Sequence, residues 1–464
     1  MKKGSPFIVV FITIAVLIIL SLLPLERWSG GHLRDFSLFS DILHEVGISD
    51  SGASDEEDLD PELVAAMEAE ARERNPLTAS DSTLSQAIDT IIAPPRAARV
   101  GDMVVIEDYT TDSVGMIHFA DALRSGGLAR MAVVGDSWIE GDIFTQDLRE
   151  LMQAQYGGCG VGYMSMHTDF PGFRRSVKQG GKGWKVFMGN KKCRHEWLGL
   201  SEQYAIPETG MTDTATYAGT DMFPHTSSWQ TSRFLFISPG ESVISVKTDD
   251  GQWEERNIQG ADSVQCIEVQ APARSFEVKT SSPDIVGLGV WLDGTSGVSL
   301  DCMSSRGFSG ITLTGISAGL CRGMARFVDY RLIVLEFGIN AMSASQKDYS
   351  VYSSRMVAVI NHVRKCYPRA DILVMGVGDR GEKRGGQVTS MATAPAMIAA
   401  QRDAARRAHC LFWDTREAMG GEGAVNDWSS KGHINKDYIH MTHSGGARLA
   451  KELFNAIRQS LANS

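Results

Sequence analysis

The chain has 464 residues, 43% of them hydrophobic and 22% charged, with a formal net charge of -11. At roughly 100 to 200 residues per domain this suits two folded domains with appendages, and the composition excludes a wholly disordered or fibrous protein. The acidic balance supplies no basic face to neutralise phosphates, so nucleic acid is not an expected partner.

From Pro6 to Leu25 the chain reads PFIVVFITIAVLIILSLLPL, twenty residues without a charge. As a helix rising 1.5 Å per residue, this run spans about 30 Å, enough to cross a bilayer. It exceeds the apolar core of a cleaved signal peptide, about 7 to 15 residues, and no A-x-A-like site follows, so residues 1–25 are predicted to be an uncleaved transmembrane anchor. Lys2 and Lys3 precede it, which places the start in the cytoplasm and everything after residue 25 outside. Residues 26–97 are expected to form an acidic, mostly disordered tether: SDSGASDEEDLDPE is too polar to bury a core, and ELVAAMEAEARER is rich in helix formers but carries a weak apolar face.

From residue 98 the pattern is α/β. MVVIEDY (103–109) and MAVVGDS (131–137) read as short buried strands flanking a helical MIHFADALRSGG, and IFTQDLRELMQAQYGG follows as an amphipathic helix closed by glycines. RLIVLEFG, DILVMGVG and CLFWDT are further strands, alternating with the helical SVYSSRMVAVINHVRKCYP and TAPAMIAAQRDAARRAH, as in a parallel sheet covered on both faces. Between them, FLFISP, SVISVKT, QCIEVQA, SFEVKT and IVGLGVWLD are short runs at antiparallel spacing. Residues 190–300 are therefore read as an inserted β-rich domain, a sandwich or jelly roll, splitting the parent fold into 98–189 and 301–464.

Four pieces carry chemistry. Gly135-Asp136-Ser137 lies where a strand gives way to a helix, the place where an open α/β sheet binds ligands, although such a tripeptide also makes ordinary turns and caps. Asp437-Tyr-Ile-His440 precedes the last helix, and a serine nucleophile needs a histidine base whose tautomer a carboxylate holds. A metal site at His433, His440 and His443 is the rival there, but no second cluster supplies further ligands. Gly338-Ile-Asn340 ends a strand, where a side-chain amide can donate to an oxyanion or simply make a turn. Gly310 in SSRGFSGIT offers an unobstructed N–H or is a loop glycine, with Gly307 as the competing position.

In this order the four pieces resemble the signature of the SGNH, or GDSL-type, hydrolases. The resemblance implies a flavodoxin-like three-layer α/β/α sandwich, with Ser137 as nucleophile, His440 as general base and Asp437 as its orienting acid. The Ser137 N–H, the Gly310 N–H and the Asn340 amide would form the oxyanion hole; the asparagine that often precedes this glycine in the family is absent. VVIEDY, GDSWIEGDI, LRELMQAQYGGCGVGY, GVWLDGTSGVSLDCMSSRGFSG and DYIHMTHSGGARLA together look like the extracytoplasmic subgroup that includes bacterial peptidoglycan O-acetylesterases, in which a carbohydrate-binding-module-like β domain is inserted after the first motif. The match covers about residues 100 to 460. It implies a serine esterase without metal or organic cofactor, held at the bacterial inner membrane by its N-terminal helix. Its catalytic part would lie in the periplasm, with an O-acetylated envelope glycan, peptidoglycan first, as its partner. An acetyltransferase with the same triad, a non-catalytic glycan-binding protein and a lipase remain alternatives.

Seven cysteines contain no CxxC pair, which argues against a zinc knuckle. Most read as buried small apolar residues, with a Cys302–Cys321 disulfide left open. Among the tryptophans, Trp138, Trp184, Trp197, Trp229, Trp253 and Trp291 read mainly as core, and Trp428 is the candidate for ligand contact. Arg380 and Lys383 read as solvated loop charges that face the carboxyl edge of the sheet.

Overall fold

A computed structural model describes residues 97–464, apart from 190–192, 209–211 and 385. The predicted anchor and nearly all of the predicted tether lie outside these residues; among the described residues no helix is long and apolar enough to cross a membrane.

Six strands make the central sheet: β1 (Glu107–Asp108), β2 (Leu128–Gly135), β3 (Gly297–Ser304), β4 (Leu332–Glu336), β5 (Asp371–Met375) and β6 (Leu411–Trp413). Their spatial order is β3-β2-β4-β5-β6-β1, parallel throughout except for β1 against β6. Leaving out the edge strand β1, this is the flavodoxin order, which reverses direction between β2 and β4 and opens a crevice at their carboxyl ends.

The edge strand is a correction. MVVIEDY is not one buried strand: Met103–Val104 pairs with Arg99–Val100 in a small hairpin, and only Glu107–Asp108 joins the sheet. The polar end explains the interruption, since Glu107 pairs with Arg402 at 2.9 Å and Asp108 accepts from the Thr110 and Gly115 N–H groups.

The helices are α1 (Ile117–Arg124), α2 (Thr145–Tyr156), α3 (Ala318–Met324), α4 (Ser350–Cys366), α5 (Ala394–Arg407), α6 (Thr415–Met419), α7 (Ala424–Ser430) and α8 (His443–Asn463). The two faces of β2 show how they cover the sheet. Met131 and Val133 pack with Phe119 of α1, Leu148 of α2 and Leu453 of α8, whereas Ala132 and Val134 share a core with Ile360 of α4 and Met397 of α5. Alternation along a strand thus feeds two cores, giving three layers. The short α3 has no counterpart in the sequence reading; Ser317 caps it by accepting from the Leu320 N–H. Cys302 packs on the α2/α8 side and Cys321 on the α4/α5 side, so the sheet separates them and excludes a Cys302–Cys321 disulfide.

The β insert is a sandwich of two antiparallel sheets. One runs 261–273, 229–238, 286–293, 203–207, 184–188, with 162–164 also paired to 286–293. The other runs 254–258, 242–248, 275–280, 213–219, 177–182. Phe234, Phe236, Val290 and Leu292 of the first meet Ile244, Val246, Phe276 and Val278 of the second. Its strands begin at Gly162 and end at Asp293, earlier at both ends than the expected 190–300. VKQGGK (177–182) lacks apolar alternation, yet it is an edge strand whose backbone pairs with 213–219.

Buried charge joins the insert to the parent sheet. Arg130 on β2 reaches Asp293 at 2.6 Å and Asp301 on β3 at 3.3 Å. The Asp301 carboxylate also accepts from the Trp291 Nε1–H, the Tyr330 hydroxyl and the Tyr163 N–H. A second knot centres on Asp142, bound by Arg149 at 2.6 Å and by Arg174 at 3.0 Å. Burial opposes ionisation there, but the two guanidinium groups hold its carboxyl well below the usual range.

Candidate active site

Ser137 lies two residues beyond the end of β2, on a turn that several contacts fix. The Asp136 carboxylate accepts from the Trp138 N–H at 3.0 Å, the Ser304 hydroxyl donates to the Asp136 carbonyl at 3.0 Å, and the Ser305 N–H donates to the Gly135 carbonyl at 2.8 Å. Gly135 is required by a close approach: a Cβ there would lie 2.6 Å from the Glu336 carbonyl oxygen and from its Oε2. The tripeptide therefore places the Ser137 side chain, half-buried, at the carboxyl edge of the sheet.

The Asp437–His440 segment arrives from the other end of the chain. Tyr438 sits at φ 63, a left-handed turn that folds the segment so that Asp437 Oδ1 accepts from the Ile439 and His440 N–H groups at 2.8 and 3.0 Å. The other carboxylate oxygen lies 2.8 Å from His440 Nδ1, and His440 Nε2 lies 3.0 Å from Ser137 Oγ. The structure brings Ser137, His440 and Asp437 into one hydrogen-bonded chain. Burial pushes the Asp437 carboxyl up, but the bonds from the His440 ring and the two N–H groups outweigh it and hold the carboxyl below its ordinary value. An ionised Asp437 favours the His440 tautomer that carries its proton on Nδ1 and leaves Nε2 free to accept from Ser137.

Trp138 ties the two segments together, its Nε1–H donating to the Ile439 carbonyl at 2.8 Å. It is 2% exposed and belongs to the core. Trp428, the sequence candidate for ligand contact, is fully buried, with its Nε1–H on the Met419 carbonyl at 2.8 Å, so that role is excluded. His433 turns to the Ser444 hydroxyl and His443 to the Gln146 side chain. Among the described residues no group of three or more His, Cys, Asp or Glu is placed to hold a metal.

Asn340 and Gly310 reach the same edge by different routes. The Asn340 amide donates to Asp136 Oδ2 at 3.1 Å and to the Phe308 carbonyl at 3.0 Å, so both of its hydrogens are engaged, and donation to an oxyanion requires one contact to yield. Gly310 sits at φ 84, and a Cβ there would lie 2.7 Å from the Phe337 ring, which explains the glycine by space and backbone alone. Among the described residues neither the Gly310 nor the Ser137 N–H has an acceptor.

Sequence reading missed the groups behind and around this edge. Glu336, at the end of β4, is buried against Asp136; burial, then the Asp136 charge, raises its carboxyl well above the ordinary value, and burial pushes the Asp136 carboxyl up to about 7. Arg380, expected to be a solvated loop charge, instead donates to the Ile339 carbonyl at 3.0 Å beside Asn340, whereas Lys383 is exposed. At the rim, Arg306 pairs with Glu140 at 2.7 Å and lies over the ring of Phe170, which is 57% exposed and comes from the insert. Glu336 sits inside the apolar run LIVLE, a local hint of a buried acid; Phe170 has no signal in the chain.

No family model matches the chain, and no curated protein does. Among solved structures it is similar to a peptidoglycan O-acetylesterase captured in action, with 21% identity, 77% of this chain and 99% of that chain covered, and a TM-score of 0.64. A family two carbohydrate esterase from Cellvibrio japonicus is 12% identical, with 62% and 98% covered and a TM-score of 0.27. A family 29 carbohydrate binding module is 12% identical, with 30% and 89% covered and a TM-score of 0.20. The first shows a shared fold, the one the four motifs lead to expect.

Proposed function

We propose that the chain is a serine esterase that removes O-acetyl groups from a cell-envelope glycan, peptidoglycan first. The observation that carries this reading is the hydrogen-bonded chain from Ser137 Oγ through His440 to Asp437, at the carboxyl edge of a sheet shared with a solved peptidoglycan O-acetylesterase.

In this reading His440 Nε2 takes the Ser137 hydroxyl proton as Oγ bonds to the acetyl carbonyl carbon. The carbonyl oxygen becomes an oxyanion, facing the Ser137 N–H, the Gly310 N–H and an Asn340 amide hydrogen released from its resting contact. Collapse breaks the bond from carbon to sugar oxygen, and the proton on His440 passes to that oxygen, freeing the sugar hydroxyl. Water, deprotonated by His440, then attacks the acetyl-Ser137 ester, and as the bond from carbon to Oγ breaks His440 returns the proton to Ser137 and acetate leaves. Asp437 stays ionised and stabilises the imidazolium that forms in each half. The apolar run at residues 6–25 and the lysines before it support an inner-membrane anchor with this domain outside the cytoplasm.

The test is acetate release from O-acetylated peptidoglycan, measured beside a simple aryl acetate for the wild type and Ser137→Ala. Release that disappears in the variant is expected. Turnover of the aryl ester without glycan release would keep the triad and overturn the substrate; Ser137-dependent acetyl transfer to an added sugar would make the protein a transferase; inactivity on both would overturn the enzyme reading.

A further inference from the structure

Cys321 and Cys366 lie outside the site, and nothing in the proposed chemistry uses them. Cys321 is in α3 and Cys366 is the last residue of α4; both are fully buried, in the same core. The elements bearing them are held together on each side of the pair. Arg322, next to Cys321, donates to the carbonyl of Lys365, next to Cys366, at 3.4 Å. One turn before Cys366, His362 Nε2 lies 2.9 Å from the carbonyl of Ile316, just ahead of α3. Between these ties each thiol is the largest electrostatic influence on the other, and both are free thiols in this structure.

We propose that Cys321 and Cys366 form a disulfide that staples α3 to the end of α4. Contact with Cys321 draws the Cys366 thiol below its ordinary value; burial opposes this, and His362 adds to it, so Cys366 is the member that ionises first. Its thiolate attacks an external disulfide, of the glutathione type or a protein oxidant, and expels one thiolate in forming a mixed disulfide. The Cys321 thiol then loses its proton and attacks the Cys366 sulfur, releasing the second thiolate. The two protein thiols give up two electrons and two protons, and the external disulfide becomes two thiols. Because both sulfurs are buried in the folded protein, oxidation takes place late in folding, once α3 and the end of α4 have come together and before the core closes over them. The bond would close a loop that contains β4 and Asn340, and α3 continues directly from the turn that starts at Gly310. It would thereby restrain both loops at the candidate site against local opening. The extracytoplasmic placement proposed above would provide the oxidant in the cell; the test supplies one directly, so its result does not depend on that placement.

The full chain is synthesised in a buffer of reduced and oxidised glutathione, alkylated in denaturant and digested without reduction. Peptides bearing Cys321 and Cys366 are expected to be joined in most molecules, lighter than the free pair by two hydrogen atoms, and to separate on reduction. The thermal midpoint of the wild type is expected to fall by several degrees when reductant is added, with no such fall in Cys321→Ala/Cys366→Ala. Recovery of both cysteines alkylated, or of either joined to another partner such as Cys193 or Cys410, would overturn the proposal, and the mapping on the wild type needs no variant to fold.

Discussion

Asp437 and Asn340 each sit within reach of the chemistry, and the structure assigns them different consequences. Asp437→Asn keeps the shape but loses the acceptor for the His440 Nδ1–H; kcat on an aryl acetate is expected to fall about 10,000-fold with KM little changed, as for the equivalent change in other serine triads. Asn340→Ala is expected to cost about 100- to 1,000-fold in kcat, the usual worth of one oxyanion donor. A kcat unchanged in Asn340→Ala would reduce the residue to a tie between Asp136 and the Phe308 carbonyl. These residues were legible because the chemistry demands their types in short local patterns. Glu336 was not, since what makes it unusual is its nearness to Asp136, which lies 200 positions away in the chain (336 minus 136) and becomes a neighbour only when β2 and β4 pair.

At the scale of elements, the loop from Ser305 to Gly315 supports the candidate oxyanion edge, and the insert presses on it through Glu202. Glu202 is 1% exposed, holds φ 53, and its carboxylate oxygens have no hydrogen-bond partner among the described residues, with the Thr312 and Ser305 hydroxyls nearby. Burial pushes this carboxyl up to about 7. A raised folded value means that stability is fully present below the unfolded value, about 4.3, and is lost as pH rises through about 7. Glu202→Gln has no such loss, so it should match the wild type near pH 4 and exceed it by about 4 kcal/mol at pH 8 in denaturant melts. A parallel pH dependence in both proteins would refute this account. Phe170 reaches the rim from the insert, and Phe170→Ala is expected to raise KM for the glycan several-fold while leaving aryl acetate turnover unchanged. Long periodic helices such as α4 and α8 were legible in the chain. Strand 177–182 and helix α3 were not, because backbone pairing and a Ser317 cap define them rather than an apolar pattern.

For the whole molecule, the knot of Arg130, Asp293 and Asp301 makes the parent sheet and the sandwich a single structural body. Arg130→Met would leave buried Asp301 without its counter-charge and Asp293 with only Arg233 at 3.6 Å, and a loss of about 3 to 5 kcal/mol is expected. Calorimetry of the wild type should show one transition covering both parts; two separated transitions would show that the knot does not couple them. Composition and strand spacing revealed the two architectures, but the junction was invisible, because Arg130 lies 163 and 171 positions from its partners Asp293 and Asp301. The arrangement of Ser137, His440 and Asp437 has a consequence for ancestry. Histidine and aspartate travel together on one short loop bound by its own backbone, and 303 positions separate Ser137 from His440. Only that one distance has to survive whatever evolution places between them. An ancestor could thus have accepted a whole foreign module between α2 and β3 in one event and kept this geometry, which makes the connection a place where insertions leave the Ser137–His440 distance intact.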